Sequence, residues 1–459
     1  MSSPLRRLSI ALKFTQAHKP RVLPDSLMLA KFLSSAKEKY LKDIQEKPGK
    51  GEEWTVVMGN EAGDLDSVAS SIAFAWIQSE IHKKPTIPLM QFERDELNLR
   101  AENIHALKLA GLANPREQLL TLSDVSEFKP FPSHKFALVD HNRLGSLFTT
   151  DNPSARVIAV IDHHEDEGLY TDTSAPRIIG PSGSCASHVA SLLPEEIPPE
   201  LATLVLCAIL IDTDGLKPGG KALRLDKIAV ASLVPKSTFA LSVPPGVSSP
   251  DALHDAKAIK ELTNDLLTMK SDLSHLGGWD LLRRDYKEYT FTLPWAPNSP
   301  SIKAGLSTVP VRLKAWGQDG KLEKDVIAWM KHRQITVLGV LTSFRDGDKP
   351  GKNGKGKHKR EMAWFVLDDS EQPESVDVSA LASRLWKGLE DSQELKVKPY
   401  PKFNYVQASA QLPKGSKARV YKQGNAHATR KAVAPLLKNI LQPSSETPPS
   451  TEQPPQANL

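Results

Sequence analysis

The stretch VVMGNEAGDLDSVAS, residues 56–70, decides the fold of the first half of this chain. Its apolar start reads as a strand, a glycine-containing turn follows, and a mostly apolar segment then reads as a helix. The turn sends Asn60, Asp64 and Asp66 in one direction just before the helix begins. Hard divalent cations need convergent oxygens, and carboxylates closely spaced at a strand's C-terminal end supply them on a stiff support. Two later segments have the same form: FALVDHN, whose apolar run stops at Asp140, and VIAVIDHH, which stops at Asp162, His163 and His164. A fourth acid, Asp212, closes LCAILID, either as another such end or as the polar cap of a buried helix. One strand with a terminal Asp is common in any α/β protein. Several such ends with a His-His pair point to a dinuclear metal site.

Working outward, residues 26–44 carry a helical stripe of Leu29, Phe32, Leu33, Ala36 and Tyr40. The strand WTVVMGN then opens an alternation of strands and helices that runs to about residue 235. A helix over 67–82 is predicted to bury Val68, Ile72, Phe74 and Ile77, and another over 95–110 to end at Gly111 as a C-cap. Such alternation predicts a mostly parallel sheet covered on both faces, with ligands beyond the carboxyl ends of its strands. The Pro/Gly/Ser-rich text SVPPGVSSP marks residues 239–251 as a linker. Beyond it, a helix near 252–273 and the strand-like runs YTFTL, TVPVRL, QITVLGVLTSF and MAWFVLD predict a smaller α+β domain over 252–441. Within that domain RDGDKPGKNGKGKHKREM reads as a mobile basic loop over 345–362, and residues 442–459 read as a disordered tail. The expected architecture is α/β: a parallel-sheet domain over 26–238, a linker, and the α+β domain.

The chain has 459 residues, 40% hydrophobic and 25% charged, enough for two or three domains with ordinary cores. No apolar run is long enough to span a bilayer, so no membrane partner is expected. Cys185 and Cys207 are the only cysteines and read as core residues, which argues against a disulfide framework or a Cys-type zinc site and for a reducing compartment. The net charge of +5 is mild, but acids crowd the first half while Lys and Arg gather in the second, a distribution suited to drawing a polyanion toward an acidic metal centre. With 6% aromatic residues no base-stacking surface is evident, and nucleic acid is not the expected partner. No heptad seam is visible, so a monomer is expected. Residues 1–25 form a basic tail carrying Arg6, Arg7, Lys13, Lys19 and Arg21. A cytoplasmic location is expected, with a mitochondrial presequence as the alternative.

The ordered set GNEAGDLDS, LVDHN, IDHHED, RIIGPSGSCAS and AILIDTDG resembles the DHH phosphoesterase superfamily, specifically its fungal cytosolic exopolyphosphatase branch, over about residues 26–441. The resemblance implies two divalent metal ions, Mg²⁺ or Mn²⁺, in a cleft between the DHH domain and the smaller C-terminal domain. It implies Asp64 and Asp140 as ligands of the first ion, beside Asn60, and Asp66, Asp140, His163 and Asp212 as ligands of the second, with Asp140 bridging. His164 is implied to contact substrate phosphate near the scissile bond, and Asp162 to orient an imidazole. RDYKEY places Lys287, and ATRKAVAP places Arg430 and Lys431, on the family's phosphate-binding positions. His427 is a further substrate candidate, and RDELNLRAE around Arg94 and Arg100 matches an exopolyphosphatase segment without an assigned role. GPSGSCAS, with Gly183 and Ser184, reads either as a helix N-terminus facing phosphate or as plain helix capping.

The activity implied is metal-dependent release of orthophosphate from the ends of inorganic polyphosphate, with domain closure about the linker gating turnover. The basic residues 352–360 read as solubilising or as an aid in retaining the anionic chain. Manganese-type inorganic pyrophosphatases of the same superfamily carry His where this chain has Asn60. An amide oxygen makes the first site harder, which predicts a preference for Mg²⁺ and argues against a pyrophosphatase. Nucleases and cyclic-dinucleotide phosphodiesterases of the superfamily carry a GGGH-like motif of which QGNAHAT is a poor version. Prune-like interaction proteins commonly have DHR, whereas the His pair is intact here.

Overall fold

In the computed structural model of the chain every residue of strand β1 (Thr55–Met58) is buried, which only a sheet covered on both faces allows. The structure describes residues 28–46, 49–173, 176–240, 250–346, 356–368, 376–400 and 412–443. The expected basic tail, most of the expected linker (241–249), the centre of the expected basic loop (347–355) and nearly all of the expected C-terminal tail (444–459) lie outside them. The chain divides into two units between Leu273 and Ser274.

The first unit is a parallel sheet in the order β3-β2-β1-β4-β5-β6, formed by β2 (Thr86–Met90), β3 (Leu120–Thr121), β4 (Lys135–Val139), β5 (Arg156–Asp162) and β6 (Arg177–Ile179) with β1. Alternate residues of each strand enter different cores. Val57, Ala137, Val139, Ala159 and Ile161 face one, while Val56, Met58, Phe136, Leu138 and Val160 face the other. Helix α1 (Met28–Glu46) buries Leu29, Leu33, Ala36 and Tyr40, the stripe expected from sequence. Helix α2 (Leu65–Trp76) follows β1 directly, and a wider π-turn over Ile77–Ile81 ends the helix predicted to reach residue 82. The helix predicted over 95–110 is broken. A 3₁₀ segment over Arg94–Leu99 gives way at Arg100 (φ −130°, ψ 85°) to α3 (Ala101–Leu109), and Gly111 lies beyond it with φ +79°. Short α4 (Cys185–Ala190) is followed by α5 (Pro199–Asp212), buried all round from Glu200 to Ile211. The apolar run ending at Asp212 is therefore the buried helix, not a strand. Helix α6 (Arg224–Leu233) completes this layer.

The helix that the sequence reading gave to the second domain belongs by packing to the first unit. Leu253, Ala256, Ile259, Leu262 and Leu266, on α7 (Lys257–Ser271) and just before it, join the core that holds α2, α3 and α5. An amphipathic helix goes where its apolar face finds a surface to cover, whatever the composition of the chain before it.

In the second unit the sheet order is β12-β13-β11-β9-β8-β7, with β10 paired to β11. Its strands are β7 (Tyr286–Thr292), β8 (Ser301–Val309), β9 (Val337–Thr342), β10 (Phe344–Asp346), β11 (Lys357–Val366), β12 (Val397–Pro399) and β13 (Lys417–Gln423). All pairings are antiparallel except β8 with β9. Helices α8 (Gly278–Arg283), α9 (Lys321–Arg333), α10 (Val378–Asp391) and α11 (Arg430–Leu441) accompany it, so the α+β expectation holds. Two local readings do not. The run TVPVRL is strand only to Val309, since proline at 310 has no N–H for the ladder. Residues 357–362, placed in the mobile loop, are the ordered start of β11.

One glycine fixes how closely β1 meets α2. A Cβ on Gly59 would stand 2.5 Å from Ser67 Cβ and 2.8 Å from Ser67 O. Gly59→Ala must push the turn off the helix. We expect a loss of about 1–3 kcal/mol, read as a lower thermal midpoint without added metal, and a parallel loss of divalent-cation binding.

Candidate metal centre

Parallel strands bring their carboxyl ends to one edge, so β1, β4 and β5 deliver their terminal polar residues together. Asp140 follows β4 immediately and adopts φ +61°, a left-handed conformation that Asp tolerates better than most residues. Its N–H still reaches Ile161 O at 2.9 Å, so the chain turns while anchored to β5. The carboxylate is buried. Its Oδ2 accepts from Ser67 Oγ at 2.6 Å and Asn60 Nδ2 at 2.8 Å, and its Oδ1 lies 3.3 Å from His163 Nε2. Backbone strain held by such a network marks a position whose geometry matters more than its local stability.

Asp64 is the N-cap of α2 and accepts from Ser67 N at 3.1 Å, so it caps the helix as well as joining the cluster. Asp66, one residue inside the helix, is buried and reaches across to α4. Its carboxylate accepts from Ser184 Oγ, Cys185 N and Ala186 N at 2.7–2.8 Å, while Oδ2 lies 3.9 Å from His163 Nε2. Gly183 N and Ser184 N donate to Asp226. GPSGSCAS is thus helix capping, its donors taken by two buried carboxylates rather than open to phosphate.

The His pair is divided between two tasks. His163 Nδ1 lies 3.1 Å from Ser182 O, which can only accept, so Nδ1 carries a proton and Nε2 faces Asp140 and Asp66. His164 Nδ1 lies 2.8 Å from Asp162 Oδ1, and its ring is half exposed. Asp162 is fully buried, with Asn142 Nδ2 donating to Oδ2 at 2.6 Å. It orients His164. Among the described residues Asp140, His163 and His164 present ligand atoms within 4.8 Å of one another.

The electrostatics describe a site short of positive charge. Burial, then Asp140, Asp212 and Asp64, hold the Asp66 carboxyl well above its ordinary range. Burial likewise raises Asp140, against the His163 hydrogen bond. Asp212, at the end of α5, is pushed up to about 6 by burial and by Asp64, with Lys270 3.9 Å away opposing the shift. Burial alone would lower His163, but the bond and charge of Asp140 raise it; the Asp162 bond raises His164. Four mutually repelling carboxylates and one aimed imidazole nitrogen form a hard oxygen and nitrogen donor set that fits divalent cations.

Asn60 departs from its expected role. Its Oδ1 accepts from Ala62 N at 3.0 Å and its Nδ2 donates to Asp140 O and Oδ2, so the amide aims Asp140 instead of turning an oxygen toward a cation. Three partners have no role in the sequence reading: Ser67, Asn142 and Asp226 each hold a carboxylate or its support. All but Asp226 lie inside the quoted motifs, but only contact shows what they hold. Arg100, which had no role, donates from Nε to Ala62 O at 2.9 Å and braces the turn after Asn60, while Arg94 pairs with Asp124.

In the second unit Arg430 opens α11 and its guanidinium bonds Asp285 O at 3.0 Å and Asp285 Oδ1 at 2.8 Å, two residues before Lys287 on β7. Lys287, His427 and Lys431 are exposed.

A raised carboxyl binds its proton more tightly folded than unfolded, so Asp212 costs stability in full above about pH 6, and the cost shrinks as pH falls from there toward the ordinary carboxyl value of 3.8. Asp212→Asn should therefore raise the thermal midpoint in EDTA at pH 8, raise it progressively less as pH falls from about 6 toward 3.8, and shrink the rise given by Mg²⁺ or Mn²⁺. An unchanged midpoint at pH 8 would show that the carboxylates do not burden the fold.

Both units match known protein families. A profile of the DHH family N-terminal domain matches residues 54–209, and one of the DHHA2 domain matches residues 264–440, starting within α7. A Schizosaccharomyces pombe protein named "Putative exopolyphosphatase" is 31% identical over 314 residues, 64% of this chain and 74% of its own. "Exopolyphosphatase PRUNE1" of Rattus norvegicus is 26% identical over 415 residues, covering 88% and 79%. A "Manganese-dependent inorganic pyrophosphatase" of Methanothrix thermoacetophila is 25% identical over 259 residues, covering 56% and 69%. With both domains matched in order and the DHH pair set beside a buried acidic cluster, this chain belongs to the DHH phosphoesterase family, among members of fungal exopolyphosphatase type.

Proposed function

We propose that the protein is an exopolyphosphatase that hydrolyses terminal phosphoanhydride bonds of inorganic polyphosphate and releases orthophosphate. The observation that carries this reading is the division of the His pair, one ring turned into the acidic cluster and the other held at its edge by Asp162. Family membership makes the protein a phosphoesterase-type hydrolase, and relatives bear the name exopolyphosphatase.

The residues that would hold two divalent cations are Asp64 and Asp140 for one, and Asp66, Asp140, His163 and Asp212 for the other. When bound, the cations supply an acidified water and neutralise charge on the phosphoryl oxygens. The chain's own residues do the rest. Ser67 and Asn60 fix the carboxylate shared by both sites. Asp162 holds His164 by Nδ1 and favours its imidazolium, so Nε2–H is available to the bridging oxygen. As water adds to the terminal phosphorus, the bond to the bridging oxygen breaks and the leaving phosphate takes the proton of His164. Lys287, Arg430 and Lys431 supply anion contacts, Arg430 already aligned by Asp285.

The manganese-type pyrophosphatase is the second reading, favoured by the matched relative of that name. Orthophosphate release from long polyphosphate, pyrophosphate and a dinucleotide, measured with Mg²⁺ and with Mn²⁺, separates the two. Long polyphosphate should be the best substrate; rapid release from pyrophosphate alone would replace the first reading by the second. His164→Asn should lower kcat by about 10²–10⁴-fold with cation binding retained. Because Asp162 raises the pKa of His164, Asp162→Asn should move the alkaline limb of the pH profile to lower pH. A profile that stays in place would remove His164 as the proton donor.

A further inference from the structure

The hairpin of β10 and β11 sorts its charges by face. Across the antiparallel pair Arg345 stands opposite His358, while Phe344 stands opposite Lys359 and Asp346 opposite Lys357. Opposed residues share a face and residues two apart on one strand share a face, so Arg345, His358 and Arg360 stand together. On the other face Lys359 pairs with Asp346, and Glu361 accepts from Leu313 N. On the Arg345 face, among the described residues, neither arginine has a carboxylate within ion-pair distance. Arg345 Nη1 reaches Gly356 O at 3.3 Å, and Arg360 Nε donates to Ala426 O at 2.8 Å.

That last bond brings a second element to this face. Ala426 and His427 lie in the turn between β13 and α11, and Gln423 Nε2 ties the same turn down through Asn425 O and Ala428 O. His427 is close enough to His358 to act on it electrostatically, as are Arg360 and Arg345. Ser343 Oγ, 2.9 Å from His358 Nε2, fixes that ring. Arg360 is half-buried, and burial opposes its charge. A half-buried guanidinium and an exposed one, gathered by a fixed scaffold and bonded to carbonyl oxygens rather than to carboxylates, are poised for a multiply charged anion.

We propose that Arg345, His358, Arg360 and His427 form a binding subsite for internal phosphates of a linear polyphosphate, upstream of those hydrolysed. The inference rests on the polyphosphate reading above and extends it to residues outside the metal centre and outside Lys287, Arg430 and Lys431. The turn held by Arg360 leads within four residues to Arg430, so the subsite continues from the anion contacts at the start of α11. A subsite for internal phosphates explains how a long chain is retained while short ones leave. It makes chain length, not bond chemistry, the quantity these residues control.

The test compares wild type with Arg345→Gln/Arg360→Gln, and with the exposed Arg345→Gln alone in case loss of the half-buried guanidinium disturbs folding. Thermal midpoints check the fold. Binding of long-chain polyphosphate is measured in EDTA, and hydrolysis of long-chain polyphosphate and of tripolyphosphate is measured with Mg²⁺. The double variant should bind long chains about tenfold to hundredfold more weakly, with a shallower salt dependence and a raised KM for long chains, while kcat/KM for tripolyphosphate stays within a factor of about two. The single variant should show a smaller change in the same direction. Unchanged long-chain binding with intact folding would overturn the subsite, as would an equal loss for tripolyphosphate, which would place the arginines at the reacting phosphates. Equally tight binding of a single-stranded oligonucleotide, lost in the same variant, would overturn the ligand class. If wild type binds long polyphosphate through these arginines but hydrolyses none, the catalytic reading fails and the subsite stands.

Discussion

Like charges held together where water is scarce cannot all remain ionised unless something positive joins them. Asp64, Asp66, Asp140 and Asp212 are in that position, and burial with mutual repulsion drives three of them toward their protonated forms. The surrounding fold is arranged to keep them there. Asp140 accepts a left-handed backbone, Asp66 is fastened to the start of α4, and Asp64 closes the first turn of α2. Asp64, Asp66 and Asp140 are thus each held in place by a structural contact, and the result is a cluster that is poor in free energy while its members are ionised. Relief of that repulsion is what a bound cation would supply.

The sheet makes that cluster possible because it is parallel. β1, β4 and β5 end on the same edge, whereas antiparallel neighbours would have sent their terminal residues to opposite edges. The helices that follow add what the strands cannot. Asp212 arrives from the end of α5, whose whole length is buried and whose apolar contacts therefore fix the carboxylate without any loop. His163 and His164 are adjacent in sequence yet held by different acceptors, Ser182 O and Asp162, and the rings lie nearly perpendicular at 86°. One dipeptide thereby supplies a ring to the cluster and a ring to its edge.

The second unit follows a different plan, with charge sorted by strand face instead of gathered at strand ends. Arg430 is drawn to the residues before β7 by Asp285, and Arg360 is drawn to the turn before α11 by a carbonyl oxygen. Among the described residues, both arginines are ordered by oxygens that leave part of the guanidinium unused. A planar fork with donors to spare suits anions that offer several oxygens in sequence.

Much of this was legible in the residues themselves. Strand ends are visible wherever an apolar run stops at an acid, because a buried strand cannot continue through a charge. The sequence therefore determined β1, β4 and β5, the acids at their ends, the helical stripe of α1, and the α/β followed by α+β class. Contacts between distant segments were beyond it. A helix belongs to whichever surface its apolar stripe covers, so α7 joined the first unit against the composition of the linker before it. The basic run at residues 357–362 reads as loop because Lys, Arg and His look solvated in one dimension, and it becomes strand only when β10 and β13 supply hydrogen-bond partners. Whether Asn60 offers its oxygen or its amide hydrogens, and whether GPSGSCAS meets phosphate or carboxylate, is settled by neighbours as far as 80 and 120 residues away. The kinds of donor at this site are written in the chain; which way each one points is decided by packing, because orientation is a property of the neighbours that surround a side chain and not of the side chain itself.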